Sequence, residues 1–325
     1  MTRSLFANPR LDPELAAASV LLPEIDLRAS TEARRLERTL SAEIGGLSDL
    51  GVTTRDLVVP TPEGGVPIRW YESQSSRHTD ETGQPRPTPV ILYLHGGAFV
   101  LGGLHSEHGR CAEYCAETGA VVVSVDYRLA PENPYPAAVE DGLAVLRWLV
   151  VEAEDLGLDV KRIVLAGLSA GGCLAAVLAI AARDQGLCRP RLQMLINPVT
   201  DSSLSSPSMA EFTSTPMLTT THSHDMWELY RGAATPADAD GMLAPAHAAT
   251  HSDLAPAFIS VAELDPLRDE GITYAMSLLR AGVGVDLHCY MGTYHAFDSF
   301  QKSRVARRSR TDQINALQRA FARSS

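Results

Sequence analysis

Short apolar runs recur along most of this chain with helix-length segments between them, and that alternation constrains the fold more than any single motif. The runs at residues 90–94, 120–126, 163–167, 192–197, 257–262 and 285–290 are of strand length and rich in Val, Ile and Leu. Alternating with helix-like segments, they fit a sheet covered on both sides, and the segments between them supply the crossovers that parallel pairing demands. Two further β-prone runs, 53–59 and 66–71, are separated by Pro60, Pro62, Gly64 and Gly65 and predict an antiparallel hairpin at a sheet edge. The expectation is a mainly parallel, eight-stranded α/β sheet flanked by helices.

Helix ends are marked in the same way. Gly119 follows the segment ending at Thr118, and Gly282 follows the segment 269–281, as C-terminal caps would. Residues 73–89, rich in Ser, Thr, Gly, Gln and Pro, predict an exposed loop. The alternation breaks between Asp201 and about Pro256, a stretch too long for a loop, with an amphipathic piece at 224–230. It predicts an inserted cap (201–256), packed with a helical N-terminal arm running from Asp12 to about Leu47. The domain reading is therefore an arm at 1–48 contributing to the cap and a core at 49–200 and 257–325.

With 325 residues, 45% of them hydrophobic and 21% charged, the chain can bury one substantial core. A formal net charge of -11 disfavours nucleic acid and anionic membrane surfaces as partners. The opening residues lack an apolar signal-peptide core, and the strongly apolar run 174–182 is too short to span a bilayer. No stable membrane insertion and a cytoplasmic location are expected. The cysteines (Cys111, Cys115, Cys173, Cys188, Cys289) are odd in number and lack CxxC spacing, so reduced, mostly buried thiols are expected rather than disulfides or a zinc site. An edge strand following His288 would allow a homodimer.

Acyl transfer needs a nucleophile held clear of the backbone, a base within hydrogen-bond reach and donors where negative charge develops. The string VLAGLSAGGCLAAVLAI places Ser169 between a β-prone run and a long apolar helix, in the GxSxG pattern of a nucleophile elbow. Upstream, HGGAF ends a strand with small residues, so that amides of Gly96, Gly97 and Ala98, joined by that of Ala170, predict an oxyanion hole. The order nucleophile, acid, histidine points to His295, after the last strand, as base. Asp265, just after the preceding strand and before Pro266, is the expected acid. Asp269 is the runner-up, but it reads as the first turn of the next helix, where the dipole alone would stabilise it.

These motifs together resemble the hormone-sensitive-lipase-like esterases, the bacterial family IV carboxylesterases. HGGAF at 95–99, DYRLAPE at 126–132, GLSAGG at 167–172, DPLRDEG at 265–271 and YHAF at 294–297 follow that family's order, over about residues 90–300. The resemblance implies a capped α/β-hydrolase fold, a catalytic triad of Ser169, Asp265 and His295, oxyanion amides at Gly96, Gly97, Ala98 and Ala170, no cofactor, and short-acyl ester substrates. Two positions depart from the pattern: Ala98 stands where the family often has glycine, and Leu168 where it often has an acidic residue.

Other groups read as scaffolding. Arg128 is placed to pair with an inward carboxylate and hold the loop stiffened by Pro131, Pro134 and Pro136. His105 and His108 with Glu107, and His222 with His224, are rejected as metal ligands; His222 and His224, two apart with no carboxylate or cysteine at helical ligand spacing, read as surface histidines, and His288 as a packed or surface one. The basic stretch 301–310 reads as a solvated helix face. Besides a serine carboxylesterase acting through an acyl-enzyme, the same residues would serve an amidase or a natural-product deacetylase, or survive in a non-catalytic ligand-binding homologue.

Overall fold

The computed structural model describes residues 8–44, 50–62, 64–76, 86–233 and 240–322. At its centre is an eight-stranded sheet, formed by β1 (Val52–Val59), β2 (Val66–Ser73), β3 (Thr88–Leu94), β4 (Val121–Val125), β5 (Leu158–Leu168), β6 (Leu192–Ile196), β7 (Ala257–Ala262) and β8 (Val285–Tyr290). The strands lie in the order β1-β2-β4-β3-β5-β6-β7-β8. β1 and β2 form the antiparallel hairpin, and β2 is antiparallel to β4, with Ile68 opposite Val125. From β4 to β8 every pairing is parallel.

Burial follows position in the sheet. β3, β4, β6 and β7 are buried along their whole length, as continuous apolar strands covered on both faces must be. β1 and β8 are the edges, and most of their residues reach solvent. The covering helices are α3 (His108–Thr118), α4 (Ala137–Val151), α5 (Ala170–Asp184), α8 (Arg268–Arg280) and α9 (Arg304–Ala322). Gly119 ends α3 in the left-handed conformation (φ 67°), the C-terminal cap that glycine adopts without a Cβ penalty.

Before the sheet come α1 (Pro13–Ser19) and α2 (Ser30–Ile44), so the arm is two helices joined by non-helical residues rather than one continuous helical run. Asp12 caps α1 by accepting from the N–H groups of Glu14 and Leu15. Between β6 and β7 lie α6 (Pro207–Glu211) and α7 (Thr220–Arg231). α7 buries Met226, Trp227 and Tyr230, and the Tyr230 ring stacks on Phe99 at 3.7 Å. Arg28, from the arm, pairs with Asp225 and Glu228 on α7. Arg34 of α2 donates to the carbonyls of Val100 and Ala130.

Two expectations are corrected. The stretch 73–89 is not simply an exposed loop: Ser73, Ser76 and Thr88 are buried, and Thr88 Oγ1 donates to the Ser76 carbonyl, tying β2 to β3. Residues 77–85 lie outside the described residues. β5 begins at Leu158, where Leu158 pairs with Thr88, ahead of the apolar run that marks it in the sequence. The five cysteines are free thiols, most of them buried: Cys111, Cys115 and Cys173 are buried, Cys188 is half-buried, and Cys289 on the edge strand is exposed. No described helix is long and apolar enough to cross a membrane.

Candidate active site

Ser169 sits in the turn between β5 and α5 with φ 56° and ψ -118°, a conformation that L-residues seldom adopt. Such strain, of order 1–3 kcal/mol, persists only where the surroundings over-determine it. Here they do. A Cβ on Gly167 would lie 2.1 Å from the Gly171 carbonyl oxygen, and one on Gly171 would lie 2.0 Å from that of Leu94, so strand and helix approach as only glycine permits. Ser169 N–H donates to the Ile196 carbonyl at 2.8 Å, and Val199 N–H donates to the Ser169 carbonyl at 3.2 Å.

His295 lies in the turn after β8, and Asp265 in the turn after β7. His295 Nε2 is 2.8 Å from Ser169 Oγ, and His295 Nδ1 is 2.8 Å from Asp265 Oδ2. Asp265 Oδ1 accepts from Leu267 N–H at 2.9 Å. A carboxylate has no proton to give, so Nδ1 carries the hydrogen and Nε2 is left to accept from the serine hydroxyl. All three side chains are buried.

The turn after β3 brings the predicted amides to the same place. Gly97 has φ 121°, and a Cβ there would lie 2.3 Å from the Leu101 carbonyl oxygen, whose own N–H donates back to Gly97. Among the described residues, the N–H groups of Gly96, Gly97, Ala98 and Ala170 have no acceptor. Ala170 N–H is also the first of α5, at the positive end of its dipole. His95 holds the turn from behind: Nδ1–H donates to the Gly96 carbonyl, the ring stacks on Tyr127 at 4.1 Å, and the Tyr127 hydroxyl donates to the His95 carbonyl. Burial pushes the His95 ring down to about 4, so it stays neutral at physiological pH.

Ser169, His295 and the Gly96–Ala98 turn open on a cavity of about 450 Å³. Its lining combines Ile25, Leu27, Leu101, Leu168, Met217 and Leu218 with polar groups of α3 and α9, among them Glu113, Arg110 and Arg310. Behind that polar wall Arg110 and Asp298 form a buried ion pair at 2.7 Å, which Gln313 joins by donating to Asp298. Burial alone would push the Asp298 carboxyl up, but the Arg110 guanidinium and the bonds from Arg110 and Gln313 outweigh it and hold the group well below the usual carboxylate range.

The remaining candidates separate from the site. Asp269, in the first turn of α8, accepts from Ser208 N–H and pairs with Arg268. Glu263 binds Arg10 and Gly292 N–H. Arg128 pairs with buried Asp141, and both the N–H and the guanidinium of Arg128 donate to it. His105 meets Glu37, His108 the Tyr71 hydroxyl, and His288 stacks over Tyr290 beside Asp286. His222 is the exception to its reading as a surface histidine: it is half-buried, lines the cavity, and its Nδ1 accepts from Thr219 N–H at the start of α7. Sequence reasoning also passed over Arg110, Asp298 and Asn197, whose partners lie far away in the chain.

The sheet order, the elbow and the convergent Ser, His and Asp define a hydrolase of the α/β class, and comparison with known proteins agrees. A family model described as "alpha/beta hydrolase fold" matches residues 91–299. "Carboxylesterase NlhH" of Mycobacterium tuberculosis is 41% identical over 308 residues, covering 92% of this chain and 92% of that protein. "Ethyl acetate hydrolase" of Pseudomonas putida is 38% identical over 306 residues, covering 88% of this chain and 92% of its own length. Among solved structures, "Bacterial Heroin Esterase" superimposes with a TM-score of 0.91 at 38% identity, covering 97% of this chain and 99% of that one. The chain belongs to the α/β-hydrolase family, in the hormone-sensitive-lipase-like branch of carboxylesterases that its motifs resemble.

Proposed function

We propose that this chain is a serine carboxylesterase hydrolysing short-acyl esters through an acyl-enzyme, with Ser169 as nucleophile, His295 as general base and acid, and Asp265 as the carboxylate that orients and stabilises the imidazolium. The carrying observation is the continuous relay from Asp265 through His295 to the Ser169 hydroxyl, both links 2.8 Å, opening on a cavity beside four amides that have no acceptor among the described residues. As Ser169 Oγ attacks the ester carbonyl, its proton passes to His295 Nε2. The carbonyl oxygen becomes an oxyanion received by the amides of Gly96, Gly97, Ala98 and Ala170. His295 then protonates the departing alcohol, and water repeats the sequence on the acyl-Ser169 ester. Nucleophile, base and donors all reside on the chain, so the cycle needs no cofactor.

The preference for short acyl groups is supported by the relative named for ethyl acetate hydrolysis, and the apolar lining of the cavity suits an acyl chain. Residues 201–256 together with the arm 1–48 serve as the cap over a core of 49–200 and 257–325, supported by Ile25, Leu27, Met217 and Leu218 all facing the cavity. The free state of all five cysteines supports a cytoplasmic location, and the solvent-facing β8 edge supports a homodimer. Neither a nucleic acid nor a membrane surface is a partner in this reading. The names of the relatives favour esters over amides as substrates.

Hydrolysis of p-nitrophenyl esters from acetate to palmitate by the wild type and by Ser169→Ala tests the proposal. Activity greatest on the short chains, and abolished by the substitution, is expected. Turnover of none of these esters, or full turnover by Ser169→Ala, would overturn it.

A further inference from the structure

The end of β6 and the residues that follow it touch both halves of the reacting pair. Through backbone bonds they grip the nucleophile: Ser169 N–H donates to Ile196 and Val199 N–H donates to Ser169. Through one side chain they reach the base: Asn197 Oδ1 accepts the N–H of Ala296, the residue after His295, at 3.3 Å. Ala296 needs such a hold because it sits in the left-handed region, with φ 57°. Asn197 itself has φ 42°, a conformation that Asn tolerates better than most residues, and its N–H donates to the Ser260 carbonyl of β7.

The amide is costly where it stands. Asn197 is 1% exposed, and among the described residues its Nδ2 has no hydrogen-bond partner. A buried unpaired donor weakens a fold, so an apolar side chain would serve packing alone better. What the amide supplies in return is its oxygen, directed at the peptide that fixes the direction of His295. We infer that Asn197 is a positioning residue for the reaction: it locks the His295 turn to the segment that holds Ser169, so that Oγ and Nε2 stay in register while acyl groups come and go. The inference rests on the reading of Ser169 and His295 as the reacting pair.

Asn197→Gly is the informative substitution, because glycine adopts φ 42° without strain and removes only the side chain. The expected result is a fall in kcat of about tenfold to a hundredfold on p-nitrophenyl acetate, with KM within about twofold of wild type. The rate of Ser169 sulfonylation by phenylmethanesulfonyl fluoride should fall in parallel, since it draws on the same base. Asn197→Asp, which keeps an acceptor oxygen and accepts the same backbone, should recover most of kcat. Asn197→Ser, whose shorter side chain stops short of Ala296, gives the same reading should the glycine variant not fold. A kcat within twofold of wild type in Asn197→Gly, or an equal loss in Asn197→Asp, overturns the inference. Ser169→Ala, run alongside, separates the cases: if it stays active the reacting pair is misassigned, and if it is inactive any failure belongs to Asn197 alone.

Discussion

His295 and Asp265 occupy the turns after neighbouring parallel strands, β8 and β7, and meet through a 2.8 Å bond between Nδ1 and Oδ2 with side-chain exposures of 8% and 1%. Parallel pairing places both turns at the carboxyl edge of the sheet, the same edge at which β5 delivers Ser169. The bond therefore costs little loop entropy, and its burial keeps water from competing with it.

That bond fixes the tautomer, so Asp265→Asn should keep the fold and lose the chemistry. An amide at this position can present its NH₂ to Nδ1 and leave Nε2 protonated, unable to accept from Ser169. A fall in kcat of about ten-thousandfold is expected. Asp269→Asn, four residues on, should change kcat by less than about threefold, because its partners are Ser208 and Arg268. Equal losses in the two variants would contradict the assignment of the acid.

The elbow predicts a stability effect at a residue with no chemistry of its own. Gly171→Ala places a methyl 2.0 Å from the Leu94 carbonyl oxygen, backbone that cannot swing aside. Thermal unfolding of that variant should show a loss of more than about 3 kcal/mol, or the protein should fail to accumulate in soluble form. Gly157→Ala, with open space around the position but φ 65°, should cost only about 1 kcal/mol. A Gly171→Ala variant as stable as wild type would mean that strand and helix are farther apart than described.

Glu270 predicts a pH dependence. It is buried at the start of α8, where Oε1 accepts from the N–H groups of Thr200 and Asp201. Burial pushes its carboxyl up to about 8 in spite of those amides. The folded value lies above the unfolded one of about 4.3, so the stability it contributes is complete below about pH 4.3. That contribution is lost as pH rises through about 8. Glu270→Gln keeps an acceptor for both amides and removes the ionisation. Its Tm should exceed that of wild type at pH 8 by at least about 2 °C, with a smaller difference at pH 5. A difference that shrinks or reverses between pH 5 and pH 8 would contradict this.

What the sequence made legible was whatever is local along the chain. The elbow, the glycine turn after β3 and the histidine turn after β8 each place a chemical group by the conformation of a few consecutive residues, so short motifs identify them. The strand alternation is local too, but the strand order is not: the reversal that sets β4 between β2 and β3 depends on pairing across the sheet, because handedness fixes only which face a crossover covers. Long-range polar partnership was not legible. Nothing in the residues around Arg110 marks Asp298 and Gln313 as its partners, and nothing around Asn197 marks Ala296. His222 was misjudged for the same reason, since only the packing of α7 against the rest of the fold turns its ring toward the cavity. At 73–89, composition suggested a loop, whereas burial of Ser73, Ser76 and Thr88 is set by the strands they join.

The central claim is that Ser169 carries the acyl group, and the first seconds of p-nitrophenyl acetate hydrolysis test it most directly. Quenching early, digesting the protein and locating acetyl groups by mass spectrometry should place an acetyl on Ser169 in the wild type, with a burst of close to one p-nitrophenolate per chain, and neither signal in Ser169→Ala. An acetyl group found on another residue, or a full burst from Ser169→Ala, would contradict the account.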